Sequence, residues 1–326
     1  MRAVVLKTKG DADVLKVSED VAAPEPQGEE VRVRVRAFGI NRADVLQRKG
    51  HYPAPPDALA PDIPGLEFAG EVEALGRRAH ERKIGERVCG ITASGAYAEL
   101  LCVHERTTVR IPDGISFEQA AAIPEAFMTA FDALEQGQFE AGGSVLIHAA
   151  GSGVGTAAIQ LVAAASGISI GTSRTADKLA KAKEFGLTAG ELLDNAWDET
   201  AKSHTGGAGV DVILEFIGIP TYARNLSAIR SGGKIVQIGT LGGVRGEIDI
   251  GPMLRKRVAW IATTLRARPL EEKISLARRF ERLVMPQFSA GKLRSVIDAT
   301  YKFDQIAETH RRMESDKSFG KIVVTV

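Results

Sequence analysis

Gly151, Ser152, Gly153, Val154 and Gly155 stand between the β-prone VLIHAA from Val145 and the alanine-rich AAIQL from Ala157. Glycines let backbone amides approach an anion, and a helix N-terminus adds unpaired N–H groups and a positive dipole, so this pattern makes a phosphate cradle. The strict G-x-G-x-x-G spacing is absent, the hexamer in that register being AGSGVG from Ala150, and the motif draws its weight from its strand–turn–helix setting. About twenty residues on, dinucleotide sites for NAD usually place an Asp or Glu against the ribose hydroxyls. Here the second strand ends in IGTSRTADK, where Ser173, Arg174 and Lys178 offer a hydroxyl and two cations. That set suits the 2′-phosphate of NADP, to which a guanidinium makes charge-assisted hydrogen bonds. Arg174 is the better placed of the two cations; Lys178 could instead decorate a solvated helix.

The elements that must hold this turn are legible around it. No Asp, Glu, Lys or Arg occurs from Ala141 to Ser173, a run long enough to span a bilayer, which needs about 20 apolar residues. Its internal glycine cluster argues instead for a buried strand and a buried helix. From about Ile123 the chain alternates apolar strands (VLIHAA, ISIGTS, AGELLD, DVILEFIG, KIVQIGT, AWIATT) with amphipathic segments such as TADKLAKAKEFG. This rhythm predicts an α/β fold with a Rossmann-type, doubly wound parallel sheet. The first third is different. VRVRVRAF alternates strictly, with Val31, Val33 and Val35 on one face and Arg32, Arg34 and Arg36 on the other, and short strand-like runs are divided by glycine and proline. A second, smaller, barrel-like β domain is expected there. The expected division is residues 1–122, residues 123–264, and a tail of residues 265–326, ending in KIVVTV, that returns to the first domain.

Composition narrows the partners. Forty-two Lys and Arg against 41 Asp and Glu leave a formal net charge of +1, which gives no general attraction to nucleic acid or anionic lipid. The basic run RRAHERK from Arg77 is expected to be a solvated loop. No export signal is legible in MRAVVLKTKGD, and Cys89 and Cys102 sit in apolar strand-like settings, so buried free thiols and a cytoplasmic location are expected.

Over nearly its whole length the chain resembles the zinc-free, zeta-crystallin-like quinone oxidoreductases of the medium-chain dehydrogenase/reductase superfamily. The resemblance is carried by NRADVLQRKGHYPAPP from Asn41, PGLEFAGEVEALG from Pro64, AAAIPEAFMTAF from Ala120, the HAAGSGVGTAAIQL turn and the terminal GKIVV. The first of these stretches looks closest to the p53-inducible subgroup. The resemblance implies a GroES-like catalytic domain beside the Rossmann domain, NADPH as cofactor, and a small quinone or conjugated carbonyl as substrate. It also implies a homodimer in which AWIATT from Ala259 pairs edge to edge with its copy.

Asn41 stands where zinc-dependent relatives have a cysteine and Leu66 where they have a histidine, while Glu67 remains; this set cannot hold a catalytic zinc. The structural zinc lobe of those relatives needs four cysteines, and the chain has two. The six histidines show no metal-like close spacing, and most read as surface or packing residues. Without a metal to polarise an oxygen, the acceptor must already be electrophilic, and the protein orients it against the hydride donor. A tyrosine hydroxyl or an amide could donate a hydrogen bond to the oxygen that gains charge, which makes Tyr52 and Asn41 the candidates. Tyr52 opens YPAPPDALAPDIPG, expected to be a stiff surface segment; it could merely pack there, Asn41 could merely cap the backbone, and Asp44 could orient the site or cap a helix.

The resemblance implies that Thr129 lies near the nicotinamide-side phosphate, Phe216 and Gly218 form a lip after the fourth strand, Gly239 and Leu241 a nicotinamide-side loop, and Gly320 and Lys321 the return segment over the site; each could instead be a turn or packing residue. Leu193 stands where relatives often carry a tyrosine beside the adenosine phosphate. Two further readings stay open: an enoyl or alkenal double-bond reductase using the same hydride, and a low-turnover NADPH-binding structural or RNA-binding protein, which the near-neutral charge does not favour.

Overall fold

The computed structural model describes residues 1–56, 58, 60 and 62–326. The chain forms two compact units, Met1–Met128 with Leu265–Val326, and Thr129–Thr264. The first division falls six residues later than the sequence rhythm suggests. Pro124–Met128 winds as a wide helical turn of the π type, and it stays with the first unit because the Glu125 N–H donates to Glu67 Oε2 at 2.8 Å.

The N-terminal segment supplies β1 (Ala3–Val4), β2 (Val17–Ser18), β3 (Glu30–Ile40), α1 (Arg42–Arg48), β4 (Glu67–Leu75), β5 (Arg87–Ile91), β6 (Leu100–His104), β7 (Thr108–Arg110) and α2 (Phe117–Ala121). The middle segment supplies α3 (Thr129–Gln136), β8 (Ser144–Ile147), α4 (Gly153–Ala164), β9 (Ile168–Ser173), α5 (Ala176–Lys183), β10 (Ala189–Leu192), α6 (Trp197–Ser203), β11 (Val210–Glu215), α7 (Tyr222–Ala228), β12 (Ile229–Gln237), α8 (Gly251–Lys256) and β13 (Ala259–Ala262). The return segment supplies α9 (Leu270–Leu283), α10 (Met285–Ser289), β14 (Ile297–Lys302), α11 (Ile306–Glu314) and β15 (Lys321–Thr325).

In the first unit, β3 is the organising strand. It pairs with β4 along one edge, and along the other with β6 over its first half and with β15 over its last four residues. The alternation decides its faces: Val31, Val33 and Val35 are buried, while Arg32 and Arg34 pair with Glu73 and Arg36 with Glu71 across to β4. Beneath it Phe38 stacks on Tyr97 with ring centroids 4.6 Å apart and meets Phe303 edge-on. The tail thus returns to this unit by strand addition, β15 lying antiparallel to β3 and parallel to β14. Of the proline-rich segment after Tyr52, residues 57, 59 and 61 lie outside the described residues.

RRAHERK is largely the solvated loop expected of it, with Arg77, Arg78, His80 and Lys83 exposed, and Arg82 is the exception. Arg82 is buried: its Nε donates to Thr108 Oγ1 at 2.7 Å and its Nη2 to Thr108 O at 2.5 Å, and Glu86 and Glu281 balance its charge. An arginine whose donors all find acceptors can be enclosed, and composition does not reveal those acceptors.

The second unit is a six-stranded, wholly parallel sheet in the order β10-β9-β8-β11-β12-β13, the Rossmann arrangement. Each of the six apolar runs read from sequence supplies one strand. Strand β13 is paired on one side only among the described residues, leaving it at an edge of this sheet.

Candidate active site

At the end of β3 the chain passes through Asn41 in extended conformation and turns into α1. Asp44, in the first turn, accepts the Asn41 N–H at 2.7 Å in a capping box that also takes in the asparagine side chain. That side chain turns to two charged neighbours. Its Nδ2 donates to Glu67 Oε1 at 2.9 Å, and its Oδ1 accepts from the Lys321 ammonium at 2.5 Å. The same ammonium reaches Glu67 Oε1 at 2.6 Å and Ile40 O at 2.8 Å. Gly39 makes this approach possible, since a Cβ there would lie 2.2 Å from Glu67 Oε1. Both partners of the ion pair are almost fully buried.

The three acceptors account for all three protons of Lys321. Burial and three hydrogen bonds make it the countercharge of Glu67 and the anchor of Asn41. Gly320, just before it, adopts a left-handed backbone conformation with no room for a Cβ beside Val296 O. Asp44 is fully buried, and burial pushes its carboxyl up to about 6 while the Asn41 N–H, Lys321, Tyr97 and Arg266 pull the other way. Tyr52 lies under Arg266, whose guanidinium sits 5.0 Å from the ring centroid and donates to Tyr52 O at 3.1 Å. Arg266 is itself fixed by Ala93 O at 2.6 Å and Gln47 Oε1 at 2.5 Å.

The second unit gathers the other candidates. Ser152 caps α4, its hydroxyl accepting the Gly155 N–H at 3.0 Å, and a Cβ on Gly155 would lie 2.4 Å from Ala149 O. Only glycine lets the first turn of α4 sit so close to the exit of β8, with Gly153 and Val154 opening the helix. The Lys178 stem folds over Gly151, where an added Cβ would lie 2.8 Å from its Cδ, so Lys178 does more than decorate a solvated face. Ser173 is buried at the end of β9 and Arg174 is exposed beside it. Phe216 is buried just past β11, and the loops after β11 and β12 are zipped together by Leu241 N to Phe216 O at 2.9 Å and Ile219 N to Gly243 O at 3.2 Å. Gly218 and Gly239 lie in that zipped pair of loops, both N–H groups directed at Glu215, and the Leu241 side chain is 58% exposed. Thr129 Oγ1, at the start of α3, is sealed from solvent with no hydrogen-bond partner among the described residues. An orphaned hydroxyl and a glycine cradle at a helix N-terminus fit a phosphate-bearing dinucleotide.

Several residues escaped the sequence reading. Arg266, Glu125 and Tyr97 carry no local motif, although Glu125 lies within the IPEAFMTAF stretch. His148, read as a surface or packing histidine, braces the strand ends beneath the glycine turn: Nδ1 meets Thr172 Oγ1 and Nε2 meets Asn225 Oδ1, each at 2.8 Å, and Nε2 lies 3.5 Å from Glu215. Burial pushes its pKa down and keeps the ring neutral. Burial pushes the Cys89 and Cys102 thiols up, so neither is a thiolate at neutral pH. Among the described residues no group of three His, Cys, Asp or Glu could hold a metal ion, and no helix is long and apolar enough to cross a membrane.

Residues 27–113 match the family described as alcohol dehydrogenase GroES-like domain, and residues 187–324 the family described as zinc-binding dehydrogenase. A GroES-like domain with a Rossmann sheet defines the medium-chain dehydrogenase/reductase class. Within it, the quinone oxidoreductase of Lama guanicoe is 32% identical over 332 residues, covering 99% of this chain and 97% of the relative. The chain belongs to this quinone oxidoreductase family. Among solved structures, the Escherichia coli quinone oxidoreductase complexed with NADPH superposes with a TM-score of 0.88 at 26% identity, each chain covered completely. An NAD-dependent alcohol dehydrogenase superposes equally well, at 30% identity and full coverage of both chains.

Proposed function

We propose that this chain is an NADPH-dependent reductase that passes hydride to quinones without a metal ion, ortho-quinones being the acceptors we favour. The observation that carries the reading is the Lys321 ammonium bonded to both Asn41 and Glu67. An amide and a leucine stand where zinc relatives have thiolate and imidazole, and a resident cation already neutralises the remaining carboxylate. A divalent ion would add positive charge beside an ammonium in a buried setting.

The reduced nicotinamide supplies the hydride. The protein's residues bind and orient. The α4 N-terminus with Gly151, Ser152, Gly153, Val154 and Gly155 suits the pyrophosphate, and Thr129 offers a hydroxyl for a phosphate or ribose oxygen. Ser173, Arg174 and Lys178 suit the 2′-phosphate, while Phe216, Gly218, Gly239 and Leu241 would border the nicotinamide. Asn41 and Tyr52 would donate to the acceptor oxygen that gains charge. Asn41 is prepared for this because Glu67 and Lys321 grip its amide from both ends, fixing which end is the donor. In turnover assays with chelator-treated protein, NADPH oxidation by quinones supports the reading; faster reduction of crotonyl thioesters or alkenals moves it to a double-bond reductase.

We also propose a homodimer through the β13 edge. Leu241, Val244, Ile248, Ile250 and Leu254 expose between 47% and 79% of their surface in the same unit, an apolar set that a second copy would cover.

A further inference from the structure

Hydride addition delivers two electrons and one hydrogen, and leaves the acceptor oxygen one proton short. Asn41 can donate a hydrogen bond but cannot give up a proton at neutral pH. Glu125 is built to do so. It lies in the π-type turn Pro124–Met128, a local distortion that is frequent at functional sites. Its N–H donates to Glu67 Oε2, so the two glutamates lie against each other.

Their environments separate them. Glu67 is fully buried and compensated, accepting from Asn41, Lys321 and the Glu125 N–H. Glu125 keeps some exposure as a residue, yet its Oε2 is sealed with no hydrogen-bond partner among the described residues. The charged groups facing it are Glu67 from β4 and Asp44 from α1, which oppose its ionisation, and Lys321 from β15 and Arg266, which favour it. The protons of Lys321 are already taken, and Arg266 points its donors at Ala93, Tyr52 and Gln47. Burial first and the Glu67 charge second push the Glu125 carboxyl up to about 8, so at neutral pH it holds a proton. A carboxyl held protonated beside an ion-paired carboxylate is a recurring arrangement of acid–base sites.

We propose that Glu125 is the proton donor of the reductase. Its carboxyl O–H bond breaks, a new O–H bond forms on the acceptor oxygen that gained the electron pair, and the electrons of the broken bond remain on the Glu125 carboxylate. Water returns a proton to Glu125 after the product leaves. The proposal rests on the reductase reading above.

Two measurements on the full chain test it. Infrared difference spectra across about pH 6 to 10, which need no turnover, should show a protonated-carboxyl band that vanishes with a midpoint near 8 and is missing in E125Q. In NADPH oxidation by an ortho-quinone, wild-type kcat/KM should fall above about pH 8, where the acid is ionised. E125Q should lower kcat by about 10²- to 10⁴-fold, with KM little changed, and lose that alkaline fall. E125D should restore part of the rate with the fall displaced, and it decides the matter if E125Q does not fold. An active wild type with an indifferent E125Q, or a chain with no carboxyl titrating in that range, overturns the proposal. A wild type inactive on every quinone and alkenal overturns the reductase reading with it, a distinguishable result.

Discussion

Replacing Lys321 by methionine is the most searching perturbation of the first unit. The side chain is nearly isosteric along its stem, so the change removes the charge and three hydrogen bonds while leaving little cavity. What remains is the Glu67 carboxylate, fully buried beside Asn41 and the Glu125 N–H with no countercharge. Breaking one partner out of a buried pair typically costs about 3 to 5 kcal/mol, against the 0 to 1 kcal/mol of an exposed pair. We expect K321M to lose stability in the upper range. A lone buried carboxylate can discard its charge by protonation, so the deficit should shrink as the pH falls. The companion K321M/E67Q removes both charges and should recover at least half of the loss. Urea unfolding followed by far-UV circular dichroism at several pH values reads this out. Trp197 and Trp260 both belong to the other unit, so tryptophan fluorescence alone would miss the effect. A K321M loss below about 1 kcal/mol, or a double variant no better than the single one, would refute the assignment of Lys321 as the countercharge.

Arg174→Ala and Lys178→Ala should each raise KM for NADPH about ten- to a hundredfold and leave NADH nearly unchanged, because a hydrogen bond to a charged group is worth about 1.5 to 3 kcal/mol; equal effects on both cofactors would remove the cationic pocket from the account. Glu125 also bears on stability. Its folded value lies above its unfolded one, so the stability it contributes is fully present below about pH 4.5 and is lost as the pH rises through about 8. At about pH 9, E125Q should therefore resist urea better than wild type, and a less stable E125Q there would contradict the carboxyl's assigned environment. Light scattering should find two chains per particle, and Ile261→Lys on the β13 edge should yield one; a wild-type monomer would exclude the edge-paired dimer.

The sheet of the second unit was legible because its central strands β8, β9 and β11 are almost wholly buried and stand in the sequence as short, largely apolar runs. The glycine turn was legible because the close approach of α4 to β8 admits no side chain at Gly155. In the first unit, the alternation of VRVRVRAF declared both its buried face and its ion-paired one. What escaped was nonlocal. Lys321 and Asn41 are 280 positions apart, and only the antiparallel pairing of β15 with β3 brings them together. Arg266 reaches Tyr52 across 214 positions for the same reason: the return segment rejoins the first unit. Arg82 read as one more cation in a basic run because its acceptors on Thr108 are set by folding. The first division falls six residues beyond the expected one, and the hydrogen bond to Glu67 that keeps Pro124–Met128 with the first unit has no signature in sequence.

Purified protein treated with a strong chelator and mixed with NADPH and an ortho-quinone, its reduced-nicotinamide absorbance followed against NADH and enzyme-free controls, tests whether hydride transfer here needs NADPH and no metal ion. Rapid oxidation of NADPH, much slower oxidation of NADH, and no gain on adding back zinc are the expected results. Inactivity after chelation that zinc restores would contradict the assignment of the Asn41–Glu67–Lys321 cluster as a metal-free site.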